Sequence, residues 1–140
     1  MSKVIINKVE FTRDVRPERP ARGAIHYPAE SGKIYISIDA SVKNLKRHSL
    51  SFLSPVSVHF THNDEVRVMA TYNNDYRYSA FPIFKDGQHN FIRERDMQII
   101  PLETKGMKFL ILCPEEISKS NNPLFLLFDI GDERYKYTIR

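Results

Sequence analysis

The chain has few of the residues from which cross-links and phosphate-binding loops are built. Of its 140 residues one is cysteine, five are glycine and none is tryptophan. The single cysteine, Cys113, excludes an internal disulfide, and its place at the end of the apolar run Phe109–Cys113 predicts a buried, inert thiol. With so few glycines a glycine-rich phosphate loop is not expected, and no nucleophile-elbow or zinc-protease pattern occurs.

Long apolar runs are missing as well. The longest, Phe109–Cys113 and Leu124–Phe128, are far shorter than the roughly 20 residues of a membrane-spanning helix, so no membrane span is expected. The chain enters a strand-like segment at Val4 and shows no signal-peptide core. We therefore expect an extracytoplasmic or cell-envelope domain if a leader was removed, and a cytoplasmic protein otherwise.

Size and charge are those of an ordinary globular domain. The net charge is +4, which is far below that of a dedicated nucleic-acid domain. With 140 residues, 41% of them hydrophobic, the chain suits a single domain over residues 1–140 with a core of its own. Such a domain needs neither a disulfide nor a metal to fold, and no cofactor is predicted.

What the chain does contain is a long alternation of apolar and polar residues over Lys33–Asn44. A repeat of two is typical of a β-strand with one buried and one wet face. The predicted buried face carries Ile34, Ile36, Ile38, Ala40 and Val42, and the predicted wet face carries Tyr35, Ser37, Asp39, Ser41 and Lys43.

Shorter segments of the same kind recur, and turn residues separate them every eight to twelve positions. About eight strands of this kind predict an all-β fold, an antiparallel β-sandwich, rather than βαβ units. The other predicted strands are Val4–Phe11 (bulged near Asn7), Val56–Phe60, Val66–Tyr72, Met97–Ile100, Met107–Cys113, Leu124–Ile130 and Tyr135–Ile139. The predicted connections are an Arg/Pro-rich loop over 13–32, a turn-like stretch Leu45–Ser54, a hairpin loop Thr61–Glu65, a long aromatic loop over 73–95, one helical turn at Pro114–Ile117 and a tight turn at Asp129–Glu133.

Two stretches of this pattern resemble a known family. Pro28–Lys33, followed by the isoleucine strand and its Val42-Lys43-Asn44 ending, resembles a signature of small bacterial export domains, and Ile100–Gly106 followed by Met107–Cys113 is similar to that family's second half. The family is the immunoglobulin-like domain of unknown function of bacterial lipoproteins and secreted proteins, which is similar in fold to the mycobacterial immunoprotective secreted antigen. The resemblance implies a bacterial, usually extracytoplasmic and non-catalytic sandwich.

Four arginines recur every third residue in the Arg/Pro-rich loop. In a polyproline II conformation, with three residues per turn, they would line one side of the segment and bind a row of phosphates or carboxylates. The alternative is a solvated connecting loop, because Asp14 and Glu18 dilute the positive charge. The four candidate ligand residues are Arg13, Arg16, Arg19 and Arg22.

A second candidate region mixes aromatic rings with cations between residues 76 and 95. Rings beside cations are what single-stranded nucleic acid or a sugar chain requires, but the same residues suit a long loop that covers a sheet edge. The candidate ligand residues here are Tyr76, Arg77, Tyr78, Phe81, Phe91, Arg93 and Arg95.

No metal site or catalytic residue is predicted. His59 and His62 lie three residues apart, so a strand would send them to opposite faces, and Asp64 and Glu65 beside them suit a surface hairpin. The Asn73–Asp75 triplet lacks the spacing of a calcium loop. Adjacent carboxylates such as those of Glu115 and Glu116 do not face one cleft as an acid–base pair would.

The resemblance, together with the lack of catalytic motifs, implies an immunoglobulin-like antiparallel β-sandwich that is a non-catalytic binding or adaptor module of the bacterial envelope, whose partner is another protein that contacts loops or an exposed sheet edge. The alternatives are a polyanion or glycan binder and an enzyme with dispersed catalytic groups. The predicted inner faces of the sandwich carry Ile34, Ile36, Ile38, Val42, Phe109, Ile111, Leu124, Leu126, Phe128, Tyr137 and Ile139.

Overall fold

The computed structural model of the chain describes residues 2–16, 26–52, 64–86, 90–92 and 97–140. Almost all of its regular structure is β-strand. In chain order the elements are β1 (Ser2–Thr12), β2 (Asp14–Val15), β3 (Tyr27–Pro28), β4 (Lys33–Asn44), β5 (Leu50–Phe52), β6 (Asp64–Tyr72), β7 (Tyr76–Ser79), β8 (Phe81–Asp86), β9 (Asn90–Ile92), β10 (Met97–Ile99), β11 (Thr104–Pro114), α1 (Glu116–Lys119), β12 (Leu124–Ile130) and β13 (Glu133–Thr138).

Two sheets form the sandwich that the alternation predicts. The first sheet has five strands in the order β1-β4-β11-β8-β9, and the second has six in the order β10-β5-β6-β12-β13, with β7 also paired to β6. All pairings are antiparallel except that of β5 with β6. The prediction of an all-β sandwich is therefore confirmed.

The core lies between the sheets. Ile36 and Ile38 of β4 are fully buried, and Phe109 of β11 lies between two rings of the second sheet, 6.1 Å from Phe52 and 5.9 Å from Phe128 between ring centroids. Apolar rows facing one another across two sheets are what holds such a sandwich together. The inner-face prediction is confirmed for β4, β11 and β12.

The predicted bulge in β1 is also confirmed. The pairing of β1 with β4 shifts by one residue between Ile6 and Lys8, which leaves Asn7 unpaired. The shift restores the apolar side chains of β1 to the inner face after the polar interruption, so that Val9 and Phe11 pack against the core.

The second face of β4 is less wet than predicted, because two of its five side chains are buried while Asp39, Ser41 and Lys43 are half-buried. Tyr35 is 7% exposed and Ser37 is 2% exposed. The short β2–β3 pair covers this side of the first sheet, and Val15 packs there with Tyr35, Ile83 and Leu110 in a second apolar cluster. The prediction failed because alternation reports side-chain polarity, whereas burial also depends on which segment folds over the face.

The predicted aromatic loop over 73–95 is wrong where the structure describes it, because β7, β8 and β9 occupy most of that range. Tyr78 packs against the main core. Phe81 packs in the second cluster, with its ring 5.8 Å from that of Tyr27 and 6.4 Å from that of Tyr35. Short strands interrupted by Pro82 and by aspartates carry too weak an alternation to be recognised.

Three smaller predictions also need correction. Leu50–Phe52, predicted to be part of a turn, is a buried strand, and Glu65, predicted to lie in a loop, belongs to β6. The helical turn begins at Glu116, since Pro114 is the last residue of β11. The predicted strand Val56–Phe60 lies outside the described residues.

Candidate functional site

The Arg/Pro-rich segment contains ion pairs where the structure describes it. Arg13 is paired with Glu115, and the Nε of Arg16 lies 2.6 Å from Oδ2 of Asp14. Asp14 also accepts a hydrogen bond from His26, which together with Arg16 lowers the pKa of this carboxyl group. Both described arginines thus have a carboxylate partner within the chain, while Arg19 and Arg22 lie outside the described residues.

The aromatic and cationic candidates of β7 do not share a face. Tyr76 is 57% exposed, whereas Tyr78 packs against the core and its burial raises the pKa of its hydroxyl. Arg77 lies between them and so faces the opposite side of the sheet. Of the other candidates Phe81 is part of the second cluster, Phe91 belongs to β9, and Arg93 and Arg95 lie outside the described residues.

Within the described part of the chain no group of three or more His, Cys, Asp or Glu side chains could hold a metal ion. His59 and His62 lie outside that part. Asn73 and Asn74 form the turn between β6 and β7, with φ of 53° and 60°. Asparagine is one of the few residues that adopt this left-handed conformation readily, which accounts for the Asn-Asn pair structurally.

A shallow cleft of about 380 Å³ lies beside the turn between β12 and β13. Its charged groups are bonded to one another: Nε and Nη2 of Arg134 donate to the two carboxylate oxygens of Asp129 at 2.7 and 2.9 Å. This hydrogen-bonded pairing lowers the pKa of Asp129. A carboxylate held ionised in this way is unsuited to general acid catalysis at neutral pH.

The prediction that the thiol of Cys113 is buried is confirmed. The thiol is 1% exposed within the main core, and burial raises its pKa to about 11. Since the thiolate is the reactive form, burial and the raised pKa both disfavour reaction of this thiol near neutral pH.

An exposed sheet edge of the described structure lies at β13. This strand is at one edge of its sheet and pairs only with β12 among the described strands. Along an antiparallel strand, residues whose amide and carbonyl groups bond to the neighbouring strand alternate with residues whose groups point away from it. The amide of Ile139 donates to the carbonyl of Leu124 at 2.9 Å, so Ile139, Tyr137 and Tyr135 are the residues that bond to β12. The amide and carbonyl groups of Arg134, Lys136 and Thr138 therefore point away from β12, toward a potential additional strand.

Two tyrosines lie on the inner side of this edge. Tyr135 pairs with Phe128 and Tyr137 with Leu126, yet they are 37% and 41% exposed because no described strand pairs with the other side of β13. The prediction that Tyr137 belongs to the core is therefore wrong. The hydroxyl of Tyr135 donates to the carboxylate of Glu133, which raises the pKa of the tyrosine, and lies 3.3 Å from the carbonyl oxygen of Ser2.

The opposite face of β13 is cationic. The Nζ of Lys136 lies 4.1 Å from the ring centroid of Phe125, and Arg134 is on the same face beside Asp129. One face of the edge thus presents phenol rings and the other presents cations. We call β13, with these side chains, the β13 edge.

The other long edge strand, β1, is less regular. Its bulge at Asn7 breaks the pairing ladder, and bulges are one means by which proteins protect sheet edges from further pairing. The register of β13 with β12 runs without a shift from Ile130↔Glu133 to Phe125↔Thr138. Of these two edges, β13 is the better template for an added strand.

Comparison with solved structures supports the β-sandwich fold. It is similar to an uncharacterized β-sandwich protein from Clostridium difficile 630, with 35% sequence identity, a TM-score of 0.75, and coverage of 99% of this chain and 85% of that one. This chain belongs to the family of that protein. A conserved hypothetical protein from Bacillus anthracis shares the fold, with 16% identity, a TM-score of 0.58, and coverage of 99% and 87%. No protein-family model and no curated protein matches the chain.

Sequence reasoning named an exposed sheet edge but not which one. Tyr135, Lys136 and Tyr137 were assigned to the last predicted strand, with Tyr137 on the inner face and none of them in a binding role, since nothing in an alternating pattern says whether another strand lies beside it. No described helix is long and apolar enough to cross a membrane.

Proposed function

We propose that this protein is a non-catalytic binding or adaptor module of the bacterial envelope, which binds a protein partner by strand addition to the β13 edge. The observation that carries the proposal is the unpaired, unbulged backbone of Arg134, Lys136 and Thr138. Strand addition takes its affinity from main-chain hydrogen bonds and its specificity from alternate side chains.

The side chains of the β13 edge define the partner's chemistry. A partner strand would place apolar side chains beside Tyr135 and Tyr137 on one face, and acidic side chains beside Lys136 on the other. Aromatic rings are frequent contributors to binding energy at interfaces, and opposite charges across strands favour one register.

The non-catalytic part of the proposal is supported by the state of the reactive groups described above. The Cys113 thiol is protonated and buried, and Asp129 is bound to Arg134. The envelope location and the immunoglobulin-like topology are carried by the resemblance of Lys33–Asn44 and its flanks to exported bacterial domains.

A pull-down with matched variants tests this function. Lys136→Pro removes an outward amide without removing a bond to β12, and Lys136→Ala removes the same side chain but keeps that amide. We expect wild type and Lys136→Ala to recover the same protein from envelope extract, and Lys136→Pro to recover at least about tenfold less. Equal recovery by all three would reject strand addition, and recovery from cytosolic extract alone would reject the envelope location.

The polyanion alternative has less support, because Arg13 and Arg16 each have a carboxylate partner within the chain. It predicts binding to heparin that weakens steeply with salt.

A further inference from the structure

One end of the sandwich contains a turn with an unusual residue at its third position. The amide of Glu103 donates to the carbonyl of Ile100 at 3.1 Å, closing a four-residue turn with Pro101 and Leu102 at its centre. Leu102 has φ of 68°. A turn with proline second and a left-handed third residue is a type II turn, in which glycine or asparagine is the usual third residue.

Packing against the core does not explain why a leucine occupies this position of the turn. Its side chain is 74% exposed, so a branched aliphatic residue occupies a strained backbone conformation without the compensation of burial. Strain retained at an exposed apolar residue points to a role in binding rather than in folding.

Two further aliphatic side chains lie beside it. Ile100 begins the same turn and is 55% exposed, and Leu45 is 42% exposed. The carbonyl of Asn44, immediately before Leu45, accepts a hydrogen bond from the amide of Leu102 at 2.7 Å. We call Leu45, Ile100 and Leu102 the aliphatic knob.

The knob is held on a rigid base. Asn44 is fully buried, and its side-chain amide donates to the carbonyls of His48 and Ile99 at 2.8 and 2.9 Å. Its side-chain oxygen accepts from the amide of Lys46 at 2.9 Å. The loop after β4 and the turn before β11 are therefore linked through one residue, which presents the knob in a fixed geometry.

Three cations lie on the strands and the loop beside the knob, and the turn itself carries the carboxylate of Glu103, which accepts a hydrogen bond from the amide of Ile100 at 3.3 Å. Lys3 and Lys43 are directly opposite each other on β1 and β4, and Arg47 is exposed in the loop after Asn44. Like charges placed opposite each other cost stability, and no described carboxylate pairs with any of these three. Lys46, by contrast, lies 3.7 Å from carboxylate oxygens of both Asp132 and Glu133. We call Lys3, Lys43 and Arg47 the basic rim.

We propose that this end of the sandwich docks on the surface of an anionic phospholipid membrane. The knob is convex and aliphatic, so it needs no preformed pocket and can enter the boundary between headgroups and acyl chains. The basic rim then lies at the level of the negative headgroups, where each cation adds to binding. The surface adjoins the start of β13, where Lys46 lies 3.7 Å from Glu133. It uses other side chains than strand addition does, so this inference does not depend on the proposed function.

Vesicle sedimentation tests the proposal. Wild-type protein should bind vesicles of equimolar phosphatidylcholine and phosphatidylglycerol, and should not bind phosphatidylcholine alone. Leu102→Gly should weaken binding by about tenfold or more while the protein stays folded, since relief of strain offsets the greater freedom of glycine in the unfolded chain. Ile100→Ser is a second knob variant with the same expected direction.

Two controls complete the design. Lys43→Gln with Arg47→Gln should weaken binding by about tenfold through loss of charge. Tyr76→Ala removes a comparably exposed ring, 57% accessible, in the β6–β7 hairpin away from the knob, and should leave binding unchanged.

Three results would overturn the proposal. They are no sedimentation with the anionic vesicles, wild-type binding by both knob variants, and binding to soluble poly-glutamate that Leu102→Gly weakens equally. The last result would assign the surface to an acidic polypeptide instead of a membrane.

Discussion

Lys108 and Asp39 form an ion pair on the outer face of the first sheet, with Nζ 2.9 Å from Oδ1 and side chains only 10% and 14% exposed. The same Nζ lies 3.3 Å from the hydroxyl of Ser37. These polar groups occupy the covered face of β4, where the alternation alone predicted water, so their charges must be satisfied within the protein.

Removing one partner of this pair should be costly. Lys108→Met leaves the Asp39 carboxylate nearly buried without its cation, and we expect a loss of about 3 kcal/mol in the free energy of unfolding, measured by denaturant titration. The double variant Lys108→Met with Asp39→Leu should recover most of that loss. A single variant as stable as wild type would show that the pair is effectively solvated.

The core assignment predicts a large effect at its centre. Ile36→Ala and Phe109→Ala should each lower the free energy of unfolding by about 2–5 kcal/mol, because each leaves a cavity between the two sheets. Ile5→Ala, at a position 47% exposed, is the matched control and should change it by less than about 0.5 kcal/mol. Losses under half a kcal/mol at both core positions would contradict this packing.

Much of this fold was predictable because its long strands have one apolar face. The bounds of β4 and β12 follow from alternation or from an uninterrupted apolar run, and the bulge at Asn7 follows from a change of phase. The short strands β5 and β7 were missed, since three or four residues carry too little periodicity. Their positions depend on pairing with β6, which is a property of the tertiary fold.

The candidate sites were harder to predict for a related reason. Arginine spacing suggested a ligand, but the carboxylate of Glu115 that pairs with Arg13 is 102 residues away in the chain. Exposure of Tyr137 depends on the absence of a neighbouring strand. Leu102 did leave a readable signal, because a leucine follows proline where a type II turn usually has glycine.

The Asp129–Arg134 pair predicts a dependence of stability on pH. The pKa of Asp129 is below its ordinary value of 3.8, so its stabilising contribution is present above that value and is lost as pH falls through the pKa of the folded state. Wild type should therefore lose thermal stability more steeply on acidification below about pH 4 than Arg134→Gln does. Parallel melting curves for the two proteins would contradict this assignment.

The buried thiol of Cys113 should react slowly with thiol reagents. With a pKa of about 11, roughly one Cys113 thiol in a thousand is ionised at pH 8. The native protein should react with a disulfide reagent only as fast as it unfolds, and the denatured protein within seconds. Rapid reaction of the native protein would place Cys113 at an accessible position.

The most direct test of the central claim is amide hydrogen exchange of β13 with and without the partner recovered by pull-down. We expect the outward amides of Arg134, Lys136 and Thr138 to exchange quickly in the free protein and to become protected in the complex, while those of Tyr135 and Tyr137 change little. Protection confined to other segments, with β13 unchanged, would contradict binding by strand addition.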